Sequence, residues 1–174
     1  MTAFACQVRP DWVCLVPEKR QEVTTEGGLK FGKSDRRIGA CIRRLNKAGI
    51  LVSLFIEPSE SAVRTSHELG ADAVEIHTGR YCLAAQGAFG TKSSRILKTE
   101  LQRIENAAHL AQKLGLRAHA GHGFDYENVK RVLALKASNG LPLIEEYNIG
   151  HVIVCHAALV GLEQAVREMR QALL

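Results

Sequence analysis

A chain of 174 residues, 46% hydrophobic and 24% charged, can bury a real core and makes one domain by length. No apolar run approaches the roughly 20 residues of a membrane span, and Met1-Thr2-Ala3-Phe4-Ala5-Cys6 lacks the basic start and the length of a signal peptide, so a cytoplasmic protein is expected. The net charge of +5 suits an anionic small molecule, whereas 5% aromatics without clustered basic residues argue against nucleic acid.

In chain order, the first element is an apolar run, Trp12 to Val16, that stops at Pro17. A dense polar loop follows from Glu18 to Glu26 and closes on Gly27-Gly28. A buried strand opening into so many hydrogen-bonding groups is how an α/β enzyme presents chemistry at a strand's C-terminal end. In that loop Thr24 offers a hydroxyl to a phosphate or sugar oxygen, while Lys19 and Arg20 either attract anions or pair with Glu18 and Glu22. Ile38, Ile42 and Leu45 then fall on one helical face. Arg36, Arg37, Arg43, Arg44 and Lys47 recur at helical spacing as a solvated or oligomer-facing side.

Leu51 to Ile56 reads as a second strand, Ala62, Val63, Ser66 and Leu69 as a short helix, and Ala73 to Thr78 as a third strand. Gly79 to Ser94 is the least regular segment, either a cover over a site or a variable surface loop. A longer helical stripe holds Leu97, Leu101, Ile104, Ala108 and Ala111. Arg117 to Gly121 and Glu146 to Ile149 are weaker strands, with Val129, Val132 and Leu133 marking a helix between them. Leu162, Ala165, Val166 and Met169 mark the last helix. Apolar strands alternating with helices imply a parallel sheet covered by helices. No repeat or linker interrupts the pattern, so residues 1–174 are expected to form a single unit.

The five cysteines, Cys6, Cys14, Cys41, Cys82 and Cys155, are an odd set without C-x-x-C spacing, which fits reduced thiols better than disulfides or zinc. His119 and His122 resemble a metal pair, but residues three apart on a strand face opposite sides, so metal is not expected. His122 is flanked by Gly121 and Gly123, which let backbone and substrate approach. An imidazole there is either a proton donor or a turn histidine. Glu75 and His77 share one face of their strand and Val74 and Ile76 the other, which points the polar pair into the sheet's interior. A carboxylate there needs partners or a task, so Glu75 is either catalytic or part of a polar network, with His77 in support. Asn148-Ile149-Gly150-His151 ends the last strand and opens the C-terminal helix, whose N-terminal amides can bind phosphate.

Four segments together resemble one family. LVPEKRQEVTTEGG (Leu15 to Gly28), VEIHTG (Val74 to Gly79), AGHG (Ala120 to Gly123) and NIGH (Asn148 to His151) are similar, in order, to the motifs of the pyridoxine 5′-phosphate synthase family, the ring-closing enzymes of one vitamin B6 pathway. The resemblance implies a (β/α)8 barrel and condensation of 1-deoxy-D-xylulose 5-phosphate with 3-amino-2-oxopropyl phosphate, without metal or organic cofactor. It implies that His122 is the proton donor and Glu75 the transition-state stabiliser. It also implies that Thr24 and Gly123 bind substrate, that Gly150 and His151 hold the amino-ketone phosphate, and that the full-length enzyme is a homo-oligomer, octameric in the family. Such barrels normally need upwards of about 200 residues. The five strands are therefore expected to be the fourth through eighth of a partial TIM barrel. The family's first-strand Asn/Asp-His cluster and nearby arginine, its second-strand histidine and phosphate-binding arginines, and its third-strand glutamate base have no counterpart here. A chain of this kind is expected to be truncated and inactive alone. The alternatives are a non-catalytic phosphate-binding remnant and half of a split enzyme. Cys155-His156, where relatives commonly carry small residues and an arginine, is a smaller departure.

Overall fold

The computed structural model describes residues 1–17, 27–32 and 35–174. Thr24, Lys19 and Arg20 lie outside the described residues. Five strands, β1 (Trp12–Leu15), β2 (Leu51–Ile56), β3 (Ala73–His77), β4 (Arg117–Gly121) and β5 (Glu146–Asn148), form one parallel sheet in the order β1-β2-β3-β4-β5. Helices follow the strands: α2 (Asp35–Lys47) after β1, α3 (Glu60–Glu68) after β2, α4 (Gly79–Ala85) and α5 (Ser93–Lys113) after β3, α6 (Val129–Leu133) after β4, and α7 (His151–Val160) with α8 (Leu162–Ala172) after β5. A short α1 (Thr2–Val8) precedes β1. This is a partial (β/α)8 barrel, curled rather than flat.

Strand alternation builds the two faces. Val52, Leu54 and Ile56 of β2, Val74 and Ile76 of β3, and Ala118 and Ala120 of β4 point outward and are fully buried. They meet Ile42 and Leu45 of α2, Val63 of α3, and Ile104 and Ala108 of α5 in one continuous core. Full burial of each large aliphatic side chain contributes roughly 1.5–3 kcal/mol before entropy is counted, which is what fixes the register. The other face carries Trp12, Cys14, Ser53, Phe55, Glu75, His77 and His119, each in register with its neighbours. The curl is visible where Trp12 of β1 reaches His119 of β4 across the two strands between them, with ring centroids 5.3 Å apart.

The helix starts follow local chemistry. Ser59 caps α3 by accepting a hydrogen bond from the Ala62 N–H at 3.3 Å. The basic residues of α2 lie on its exposed face, as expected of a solvated side.

Three local expectations need correction. Residues 79–94 are not irregular: α4, a 3-10 turn at Gly90–Lys92 and the start of α5 occupy them. Fully buried Tyr81, whose hydroxyl donates to the Asn128 carbonyl at 2.7 Å, ties α4 to the core. The C-terminal region is two helices, because Gly161 (φ 85°, ψ 153°) adopts a conformation reserved for glycine and breaks α7 from α8. Finally, α1 occupies a segment that carries no periodic signal. Among the described residues no helix is long and apolar enough to cross a membrane.

Candidate active site

The C-terminal ends of β2 to β5 converge on a cleft of about 630 Å³, lined by Phe55, Glu75, His122, Gly123, Asn148 and Gly150 among others. Each arrives by a backbone device. Gly121 lies directly beneath Glu75 Oε1, and a side chain there would overlap the carboxylate. The next residue, His122, has φ 77°, in the left-handed region that costs a non-glycine residue roughly 1–2 kcal/mol. Thr78 holds that turn: its hydroxyl lies 2.8 Å from the Gly121 carbonyl and 2.7 Å from the His122 carbonyl, and its N–H donates to Gly121 at 3.0 Å. Gly123 follows at φ 86°, where a Cβ would press on Cys82, so its bare backbone faces the cleft. Burial pushes the Cys82 thiol up to about 12, which keeps it neutral behind the turn.

Glu75 sits deeper in the concave face. Cys14 Sγ donates to its Oε2 at 3.4 Å. Burial raises the Glu75 pKa, and repulsion from Glu146 adds to this, while contacts with Cys14, Asn148 and His77 oppose it. Cys14 lies on the open side of the sheet, yet the surrounding walls and the Glu75 charge push its thiol up to about 12, so it stays a donor. Below them His119 is buried, 3.7 Å from Glu146, and burial lowers its pKa. His119 and His122 thus serve two levels of the sheet, one packed on Trp12 and the other on His77.

At the rim, Gly150 precedes the first residue of α7, His151. That N-terminus has no side-chain cap and no acidic residue in its first turn, which leaves its amides and partial positive charge to an anion. Glu75, His122, Gly123, Gly150 and His151 thus line one cleft.

The residue that reasoning from sequence passes over is Glu57, immediately after β2. Its Oε1 accepts from His77 Nδ1 at 2.8 Å and from the Gly28 N–H at 2.9 Å. The His77 hydrogen bond, reinforced by Gly28, holds the Glu57 carboxyl down at about 2 against the opposing effect of burial. The available signal was its place one residue beyond an apolar strand.

Comparison with known proteins matches residues 1–174 to the family described as pyridoxal phosphate biosynthesis protein PdxJ. The chain belongs to that family. It is 45% identical over 173 residues to a pyridoxine 5′-phosphate synthase of Bdellovibrio bacteriovorus, covering 99% of this chain and 66% of the relative. A synthase of the same name from Akkermansia muciniphila is 44% identical, with 99% of this chain and 65% of the relative covered. One from Syntrophotalea carbinolica is 48% identical over 170 residues, 98% of this chain and 66% of the relative. The chain therefore spans just under two thirds of the length of the curated relatives it matches. Within the PdxJ family, the five strands described here correspond to a curled part of a barrel rather than to a closed one.

Proposed function

We propose that the chain supplies the proton-donor side of a pyridoxine 5′-phosphate synthase site, in which 1-deoxy-D-xylulose 5-phosphate and 3-amino-2-oxopropyl phosphate condense with loss of phosphate and water. The observation that carries this reading is one cleft bringing the His122 imidazole, the half-buried Glu75 carboxylate and the uncapped N-terminus of α7 together. Imine formation, elimination and ring closure are chiefly proton transfers, and one well-placed acid or base is worth about 10²–10⁴ in rate. His122 donates the proton, held forward by its strained turn. Glu75 stabilises positive charge that develops on the condensing amine, an electrostatic role favoured away from bulk water. Gly150 and His151 hold the amino-ketone phosphate at the helix N-terminus, and Gly123 offers backbone to the substrate. Thr24 takes the deoxyxylulose phosphate. No metal or organic cofactor is required. Residues 1–174 act as one portion of a barrel enzyme, a transferase working as a cytoplasmic homo-oligomer.

A second reading, a phosphate-binding half that completes its site with another polypeptide, is supported by one observation. Among the described residues β1 and β5 each pair with a single strand. Formation of pyridoxine 5′-phosphate from the two phosphates tests both readings. It is measured with the chain alone and with a polypeptide supplying the part of a relative that this chain does not cover. Product only in the mixture is expected, and His122→Asn should abolish at least 99% of it while leaving substrate binding within a few-fold. Asn tolerates the left-handed backbone, so the fold is kept. Equal losses of turnover and affinity would reduce His122 to a binding residue.

A further inference from the structure

The mechanism above uses His122 and Glu75 but leaves Glu57, His77 and the close packing at Gly79 unexplained. Three observations meet there. Glu57 Oε1 accepts two hydrogen bonds at once, from Gly28 at the end of the polar loop and from His77 on β3. Gly28 lies flat on β2, because a Cβ on it would overlap the backbone of Ile56 and Glu57, and the neighbouring Leu29 N–H donates to the Phe55 carbonyl at 2.8 Å. The His77 ring is wedged between Phe55, at a centroid distance of 5.2 Å, and His122, at 4.9 Å. A Cβ on Gly79 would meet His77 Nε2 at 2.6 Å and His122 Cδ2 at 3.0 Å, so both imidazoles rest on that bare α-carbon.

An ionised carboxylate only accepts hydrogen bonds, so His77 Nδ1 carries a proton, and of the two neutral tautomers only the one with Nε2 as acceptor fits. An outer carboxylate that fixes a histidine's tautomer and rotation is a recurrent way of orienting a working imidazole. Here the same oxygen also carries the loop's closing turn.

We propose that Glu57 is a positioning residue that couples the end of the polar loop, at Gly28, to the His77–His122 imidazole pair. With Gly28 seated on β2, Glu57 is held in place to fix His77, and His77 fixes the face on which His122 packs. When Gly28 leaves, the carboxylate is released and both rings lose their support. Gly28 and the His122 ring are then set by one contact. The catalytic meaning of this coupling rests on the assignment of His122 above; the coupling itself does not.

The test uses the 174-residue protein labelled with 15N, and the variants Glu57→Ala and Glu57→Gln. The Glu57 side chain is 46% exposed, so its removal leaves the core intact. In the wild type, nitrogen shifts should report the Nδ1–H form of His77. In Glu57→Ala the His77 Nδ1 proton signal should vanish, the His122 ring resonances should move, and Gly28 amide exchange should accelerate at least tenfold, with β3 amides unchanged. Glu57→Gln, which keeps an acceptor oxygen, should restore most of the Gly28 protection. His122 resonances that stay put in Glu57→Ala, or Gly28 exchange within twofold of wild type, would overturn the coupling. Wherever turnover is measured, Glu57→Ala should lower kcat about 10–100-fold, by analogy with the loss of carboxylates that orient metal-bound histidines. A His122→Asn variant that retains turnover would sink the catalytic assignment while leaving the resonance shifts standing, so the two failures are distinct.

Discussion

At the scale of single residues, Glu75 in the cleft and Glu57 at the end of β2 are tuned in opposite directions, and each predicts a stability profile. Glu57 is held at about 2 in the folded protein, below its ordinary value of 4.5. The unfolded chain therefore binds its proton first, so the Glu57 contribution is present above pH 4.5 and is lost as pH falls toward 2. Acid titration of thermal stability should show this loss, and Glu57→Gln should flatten it over that window. Glu75 has the opposite sign: its raised pKa means the native state keeps a proton longer than the unfolded chain. That contribution is present at low pH and disappears as pH rises past the ordinary value. The charged form of Glu75 is thus the destabilised one, the cost that the electrostatic role proposed above would carry. Glu75→Gln is expected to raise the melting temperature at pH 7 while cutting turnover at least tenfold. Turnover within a few-fold of wild type would return Glu75 to a purely structural network.

At the scale of elements, the segment after β3 shows how packing overrides a weak local pattern. Gly79 to Ser94 has few large apolar residues, yet Tyr81 is 1% exposed and its hydroxyl donates to Asn128 at the start of α6. Burial pushes that phenol up to about 12, so it remains a donor at every working pH. Tyr81→Phe keeps the ring and strands the Asn128 carbonyl, a buried acceptor whose loss of a partner costs about 1–3 kcal/mol. Urea denaturation should register that loss, together with looser packing of α4. An unchanged midpoint would mean that water replaces the hydroxyl. The same element holds the site, because Thr78 precedes α4 and carries the His122 turn.

At the scale of the whole molecule, the sheet is curled but open among the described residues. Its edge strands β1 and β5 offer unpaired N–H and C=O groups, a recognised route to association. Beside β5, α7 buries none of its residues, and Val154, Leu159 and Leu162 stand exposed, Leu159 by 85%. Large apolar patches on a free chain favour self-association. Light scattering and sedimentation of the purified 174-residue chain should therefore show oligomers or aggregates. Val154→Lys combined with Leu159→Lys should shift the distribution to smaller species. A monodisperse, cooperatively melting monomer of the unmodified chain would show that these surfaces are tolerated.

The sequence by itself determined the parallel sheet, its five strands and the candidates Glu75, His122, Gly123, Gly150 and His151 that line the cleft. These depend on short-range periodicity and on motif residues that read the same wherever the chain folds. Leu51 to Ile56 must be a strand because Val52, Leu54 and Ile56 need the helical side, and that alternation forces Ser53 and Phe55 to the other face. Glu75 follows from Val74 and Ile76 by the same argument. What only the tertiary structure decided are contacts between residues far apart in sequence. Glu57 meets His77 and Gly28, separated from it by 20 and 29 positions, and Thr78 meets His122 across 44. No local propensity encodes such pairs; they exist because the curl of the sheet brings successive strand ends together around one cleft.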